Sequence, residues 1–142
     1  MQGVSVFSLG LILLLSPISV VFAAEDSQTQ TQQGILDNKT FVGEVGKVGE
    51  TKGDTDTFTF QNGKFHSSAC DSYKFGKGMY QAQTQGDAVT FEAETESPTD
   101  GTMTWKGMVK GNMLEGTATW LKDGKAPVEN WFKGTLKTES KG

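Results

Sequence analysis

Residues 103–121 read MTWKGMVKGNMLEGTATWL, and this stretch decides the fold. Met103, Trp105, Gly107 and Val109 alternate with Thr104, Lys106, Met108 and Lys110, the period of a strand with one face on a core and the other in water. Gly111-Asn112 is a two-residue signal for a tight hairpin. Closing the chain there sets Val109 opposite Leu114, Gly107 opposite Gly116, Trp105 opposite Ala118 and Met103 opposite Trp120. The apolar residues of these pairs land on one face, as a correct register requires.

Two further turns give the same result independently. Gly86-Asp87 sets Thr84 opposite Val89, Ala82 opposite Phe91 and Tyr80 opposite Ala93; Asn62-Gly63 sets Phe60 opposite Phe65 and Phe58 opposite Ser67. A bulged turn through Lys122-Asp123-Gly124 brings Phe132 opposite Leu114 and turns Phe132, Gly134 and Leu136 inward. The chain thus predicts eight strands at about 39–46, 55–61, 64–69, 79–85, 88–95, 102–110, 113–121 and 127–137. Seventeen threonines and nine phenylalanines with scarcely any helical spacing fit that reading.

An apolar-x-Gly-x-apolar pattern recurs at Phe41–Val45, Trp105–Val109, Leu114–Ala118 and Phe132–Leu136, its glycine inward each time. Inward glycines let a strand coil sharply, and the first and last strands both carry one. The expected fold is all-β, an eight-stranded antiparallel up-and-down meander barrel, with an open meander sandwich as the alternative.

Outside the strands the chain divides simply. Residues 1–24 carry no charge, and Leu9–Phe22 is apolar apart from Ser16, Pro17 and Ser19 before the small residues Ala23 and Ala24. That reads as a signal peptide, too short and interrupted for a spanning helix of about 20 apolar residues. Residues 25–38 read as a flexible polar leader, 39–138 as the barrel domain and 139–142 as a tail. The expected location is periplasmic or secreted, with no membrane association after signal cleavage. Of the 118 residues left after that segment only 34 are apolar, which disfavours a thick helix-on-sheet core and favours one closed sheet.

All 13 basic residues are lysines, against 17 acidic ones, so the chain lacks the positive field and the planar arginine fork that nucleic-acid binding uses. Cys70 is the sole cysteine: a buried inert thiol, a reactive one, or the bridge of a homodimer. His66, Cys70 and Asp71 are too few for a structural metal site, so no metal and no cofactor are expected. No nucleophile signature is present, and Glu92, Glu94 and Glu96 fall on an outward face, so no catalytic residue is assigned and the protein reads as a non-enzyme.

The hairpin Trp105–Lys125 and the closing WFKGTL, Trp131–Leu136, resemble the calycin-like small barrels, the lipocalin and avidin group, and small secreted bacterial β proteins. The resemblance implies a barrel and supplies no binding residues. It lacks the Gly-x-Trp of a lipocalin's first strand, having Phe41-Val42-Gly43 there.

Tight turns at 62–63, 86–87 and 111–112 pinch one end of such a meander, while the long loops 46–55, 70–78, 97–101 and 122–127 gather at the other. Tyr80, Met103, Trp105 and Trp120 read as inward residues toward that mouth, with Tyr73 and Phe75 on the longest loop as a lid. These six are the expected binding residues for a small apolar or aromatic ligand. The competing reading is that they fill a barrel barely wide enough for its own side chains. A second function is a structural or interaction role for the outer wall, where Val42, Met79, Met108, Met113, Leu121 and Trp131 read as outward.

Overall fold

The computed structural model describes Gly3 and residues 34–138; the signal-peptide reading, the leader up to Gln33 and the tail lie outside the described residues. Eight strands follow one another around a closed antiparallel barrel: β1 (Lys39–Lys47), β2 (Asp54–Gln61), β3 (Lys64–Ser67), β4 (Gly78–Gln85), β5 (Ala88–Ser97), β6 (Gly101–Lys110), β7 (Met113–Leu121) and β8 (Val128–Leu136). The three two-residue turns hold the registers expected of them, including Phe60 opposite Phe65, Ala82 opposite Phe91 and Trp105 opposite Ala118. β8 closes on β1 with Gly134 opposite Gly43.

Rings fill the middle of the barrel. Phe65 and Trp105 lie 4.9 Å apart between centroids, Trp105 and Phe132 5.4 Å, and Phe60 and Phe91 4.9 Å. Their space comes from the paired glycines. A Cβ on Gly116 would come within 2.5 Å of Phe132 Cζ and 2.2 Å of the Lys106 carbonyl.

The same packing corrects one register. Phe132 faces Gly116, and Leu114 faces Gly134, a shift of two residues from the expected pairing of Phe132 with Leu114. Parity survives such a shift, so Phe132 still points inward. A ring opposite Leu114 would meet a side chain, whereas opposite Gly116 it lies over bare backbone.

β3 is shorter than expected because the chain turns at Ser68 into a 3-10 segment, Ser68–Tyr73. The Thr57 amide, which would otherwise extend the ladder, donates to Ser68 Oγ at 2.9 Å. β3 and β4 then share only two paired positions, Lys64 with Met79 and Phe65 with Gly78.

That offset places Tyr80 at the pinched end, where its amide donates to the Gly63 carbonyl at 3.1 Å. The last residues of the presumed leader lie there too. Leu36 is buried in the core, its amide donates to the Tyr80 hydroxyl at 3.1 Å, and Asn38 donates to the Phe60 carbonyl at 2.8 Å. Residues 34–38 therefore belong to the folded domain, and the flexible reading fails for them.

The interior is chiefly apolar, with Asp56, Ser67, Thr95 and Ser97 buried in it, and the outer wall carries cross-strand pairs such as Lys106–Glu92 and Lys133–Glu44.

Candidate functional site

Four connections build the open end, and each is fastened by a side chain. Trp131, on the outer face of β8, donates its indole N–H to the carbonyls of Lys47 and Glu50, 3.0 Å to each, and so clamps the loop between β1 and β2. Trp120 donates to the Asp100 carbonyl, and Lys122 Nζ lies 3.0 Å from Asp100 Oδ1, which ties the β5–β6 loop to β7. Lys122 holds the Asp100 carboxyl below its usual range. The Ser97 hydroxyl donates to the Tyr73 carbonyl at 2.6 Å, fixing the far end of the 3-10 segment.

Inside this rim lies a cavity of about 280 Å³, walled by Val45, Phe75, Met103, Trp120 and Val128, with Cys70 and Asn130 contributing polar atoms. Lys47, Glu50, Lys52 and Asp54 edge it with charges of both signs. Of the six expected binding residues, Tyr73, Phe75, Met103 and Trp120 meet here. Phe75 is buried in the wall, while Tyr73 is exposed and stands 6.4 Å from the Trp120 ring.

The other two lie elsewhere. Trp105 is fully buried in the packed middle, its indole N–H donating to Thr95 Oγ1 at 3.0 Å. Tyr80 sits at the opposite end of the barrel because of the β3–β4 offset, and its hydroxyl donates to Asp37 Oδ1 at 2.7 Å. Both competing readings of the interior therefore apply to different levels: the middle is filled and the mouth is hollow.

The 3-10 segment also separates His66 from Cys70, which an unbroken strand would have put on one side. His66 faces outward, with Nε2 2.6 Å from Asp71 Oδ1. Cys70 turns inward, its Sγ 3.4 Å from Ser67 Oγ. Among the described residues no cluster of three or more histidine, cysteine, aspartate or glutamate side chains is arranged to hold a metal.

Asp56 is a residue that the sequence reading missed. It is fully buried beneath the cavity wall, where it accepts hydrogen bonds from Ser67 Oγ at 2.5 Å, Ser68 Oγ at 3.1 Å and the Ala69 amide at 3.0 Å. Its signal was the run Asp54-Thr55-Asp56-Thr57-Phe58-Thr59-Phe60, whose parity puts Asp56 on the same face as the two phenylalanines. Burial raises the Asp56 carboxyl above its ordinary value, against the hydrogen bonds that lower it. Burial likewise pushes the Cys70 thiol up, and the nearby Asp56 and Asp71 carboxylates add to the rise. A thiol so placed is a poor nucleophile.

On the outer wall, Val42 and Met113 are exposed and flank Thr135 in one row across β1, β8 and β7. The other outward apolar residues are interrupted by polar neighbours: Met79 faces Lys64, Met108 faces Glu115 and Leu121 faces Thr102. Trp131 is half-buried and engaged with the β1–β2 loop.

Comparison of the chain with known proteins found no matching family model, no matching curated protein and no matching solved structure.

Proposed function

We propose that this protein is an exported, non-enzymatic barrel of the calycin-like kind that binds a small apolar or aromatic ligand at its open end. The observation that carries the reading is the hollow at the mouth of an otherwise filled barrel. Its walls are aromatic and aliphatic, and its volume of about 280 Å³ suits one or two rings. An apolar cavity of about 150 Å³ already holds benzene. Anchored loops on a rigid sheet provide the preformed shape that keeps the entropic cost of binding low.

Binding is favoured over catalysis because the groups fit for chemistry are spent or remote. The Cys70 thiol is buried, and His66 is paired with Asp71 outside the cavity. Export to the periplasm or the medium is supported by the uncharged apolar run before Ala24.

The test is titration of the isotope-labelled protein with toluene, followed by nuclear magnetic resonance. Binding at the mouth shifts the Trp120 indole and Met103 methyl signals and leaves Tyr80 at the other end unmoved. Failure of toluene and naphthalene alike to move the Trp120 and Met103 signals ends the proposal.

A further inference from the structure

The geometry points to Asn130 as the residue that selects the ligand class: a ring bearing an N–H or O–H donor. This inference rests on the cavity being a binding site. Asn130 has the inward parity of Phe132 and Gly134 on β8, and it is half-buried in the cavity wall. Its Nδ2 donates to two backbone carbonyls, Val128 at 3.2 Å and Ala118 at 3.4 Å. Two acceptors on that side fix which end of the amide is nitrogen, because the oxygen cannot donate to either.

The carboxamide oxygen accepts no hydrogen bond from any described residue, and it belongs to a side chain that lines the cavity. The Trp120 indole N–H does not serve it, since that donor goes to the Asp100 carbonyl. Beside the rim carboxylates of Glu50 and Asp54, the cavity wall thus carries a carboxamide oxygen to which no described residue donates. A ring that carries a donor satisfies it, and a ring without one leaves it unpaired after water has been expelled.

Indole and 1-methylindole differ in that donor and little else. Titration of the protein with each, followed through the Trp120 and Met103 signals, should give a dissociation constant about fivefold lower for indole, the worth of one net hydrogen bond. The Asn130→Leu variant should bring the two constants together. Equal affinities in the unmodified protein overturn the assignment and leave the cavity standing, and this comparison does not depend on whether the variant folds. A ratio that survives in Asn130→Leu also overturns it. If neither indole nor 1-methylindole moves those signals, this assignment falls, and the binding reading falls with it when toluene and naphthalene leave them unmoved as well.

Discussion

Ser67 Oγ donates to Asp56 Oδ2 inside the barrel wall, joining β3 to β2 where the ladder between them stops. The same carboxylate receives Ser68 and Ala69, so one buried acid fixes the start of the segment that carries Cys70, Tyr73 and Phe75 to the cavity. The shape of the mouth therefore depends on a polar group below it.

Replacing Asp56 by Ala leaves the Ser67 and Ser68 hydroxyls and the Ala69 amide without their acceptor. A loss of about 2–4 kcal/mol is expected. Asp56→Asn keeps an oxygen for Ser68 and Ala69 and offers its nitrogen to Ser67 Oγ, so its cost should stay within about 1 kcal/mol. Urea unfolding of the two variants beside the parent checks the order.

The pH dependence has a definite sign. Burial raises the folded-state pKa of Asp56 above its ordinary 3.8, so the folded chain holds that proton more tightly than the unfolded one. The stability this contributes is fully present below the unfolded value and is lost as pH rises through the folded one. The stability of Asp56→Asn relative to the parent should therefore grow as pH is raised from about 3 to 7. Urea midpoints at a series of pH values read it directly, and a stability of Asp56→Asn relative to the parent that falls with rising pH contradicts the burial argument.

The barrel was legible because three glycine-containing turns each fix a register, and parity along Phe58, Phe60 and Phe65 then assigns the core. The cavity was only half legible. Tyr73, Phe75, Met103 and Trp120 follow from loop placement, but Tyr80 was assigned to the wrong end because the long connection from β3 to β4 sets no register. Leu36 was lost in a polar stretch, since two adjacent apolar residues, Ile35 and Leu36, set no period to reveal it. Trp131 read as an outward apolar residue, and nothing in its own strand shows that its indole holds a loop 81 residues away in sequence.

Tyr80→Phe tests the pinched end. The hydroxyl donates to Asp37 and accepts from the Leu36 amide, which would lose its partner in the core. Burial and the Asp37 acceptor also hold the phenol above its usual range, so the hydroxyl stays protonated throughout. The variant should lose about 1–3 kcal/mol while toluene binding at the other end is unchanged. A Tyr80→Phe protein with parental stability and altered toluene binding would put Tyr80 at the mouth after all.

Inward glycines should differ in how they tolerate a methyl group. A Cβ on Gly107 meets the Phe132 and Phe91 rings at 2.7 Å, whereas one on Gly43 meets the Lys133 carbonyl at 1.9 Å. Both alanine variants should be destabilised, by about 1–3 kcal/mol or more. A second change, Phe132→Leu, should relieve Gly107→Ala in part and give no relief to Gly43→Ala. A double-mutant cycle on thermal unfolding measures the two couplings.

Cys70 offers the last test, because its thiol is both buried and raised in pKa while its side chain lines the cavity. Alkylation requires the thiolate, so iodoacetamide should react more slowly with the folded protein than with a free cysteine at the same pH. Asp56→Asn removes the larger of the two carboxylate effects that raise the thiol and should speed the reaction, provided unfolding has been shown not to limit it. Toluene at saturating concentration should slow it by occupying the route to the sulfur. The same burial opposes a disulfide to a second chain, and the sedimentation coefficient should be equal with and without reductant. A free-cysteine alkylation rate that toluene leaves unchanged would mean that the thiol is reached from outside the cavity, and the wall assigned to Cys70 would then be wrong.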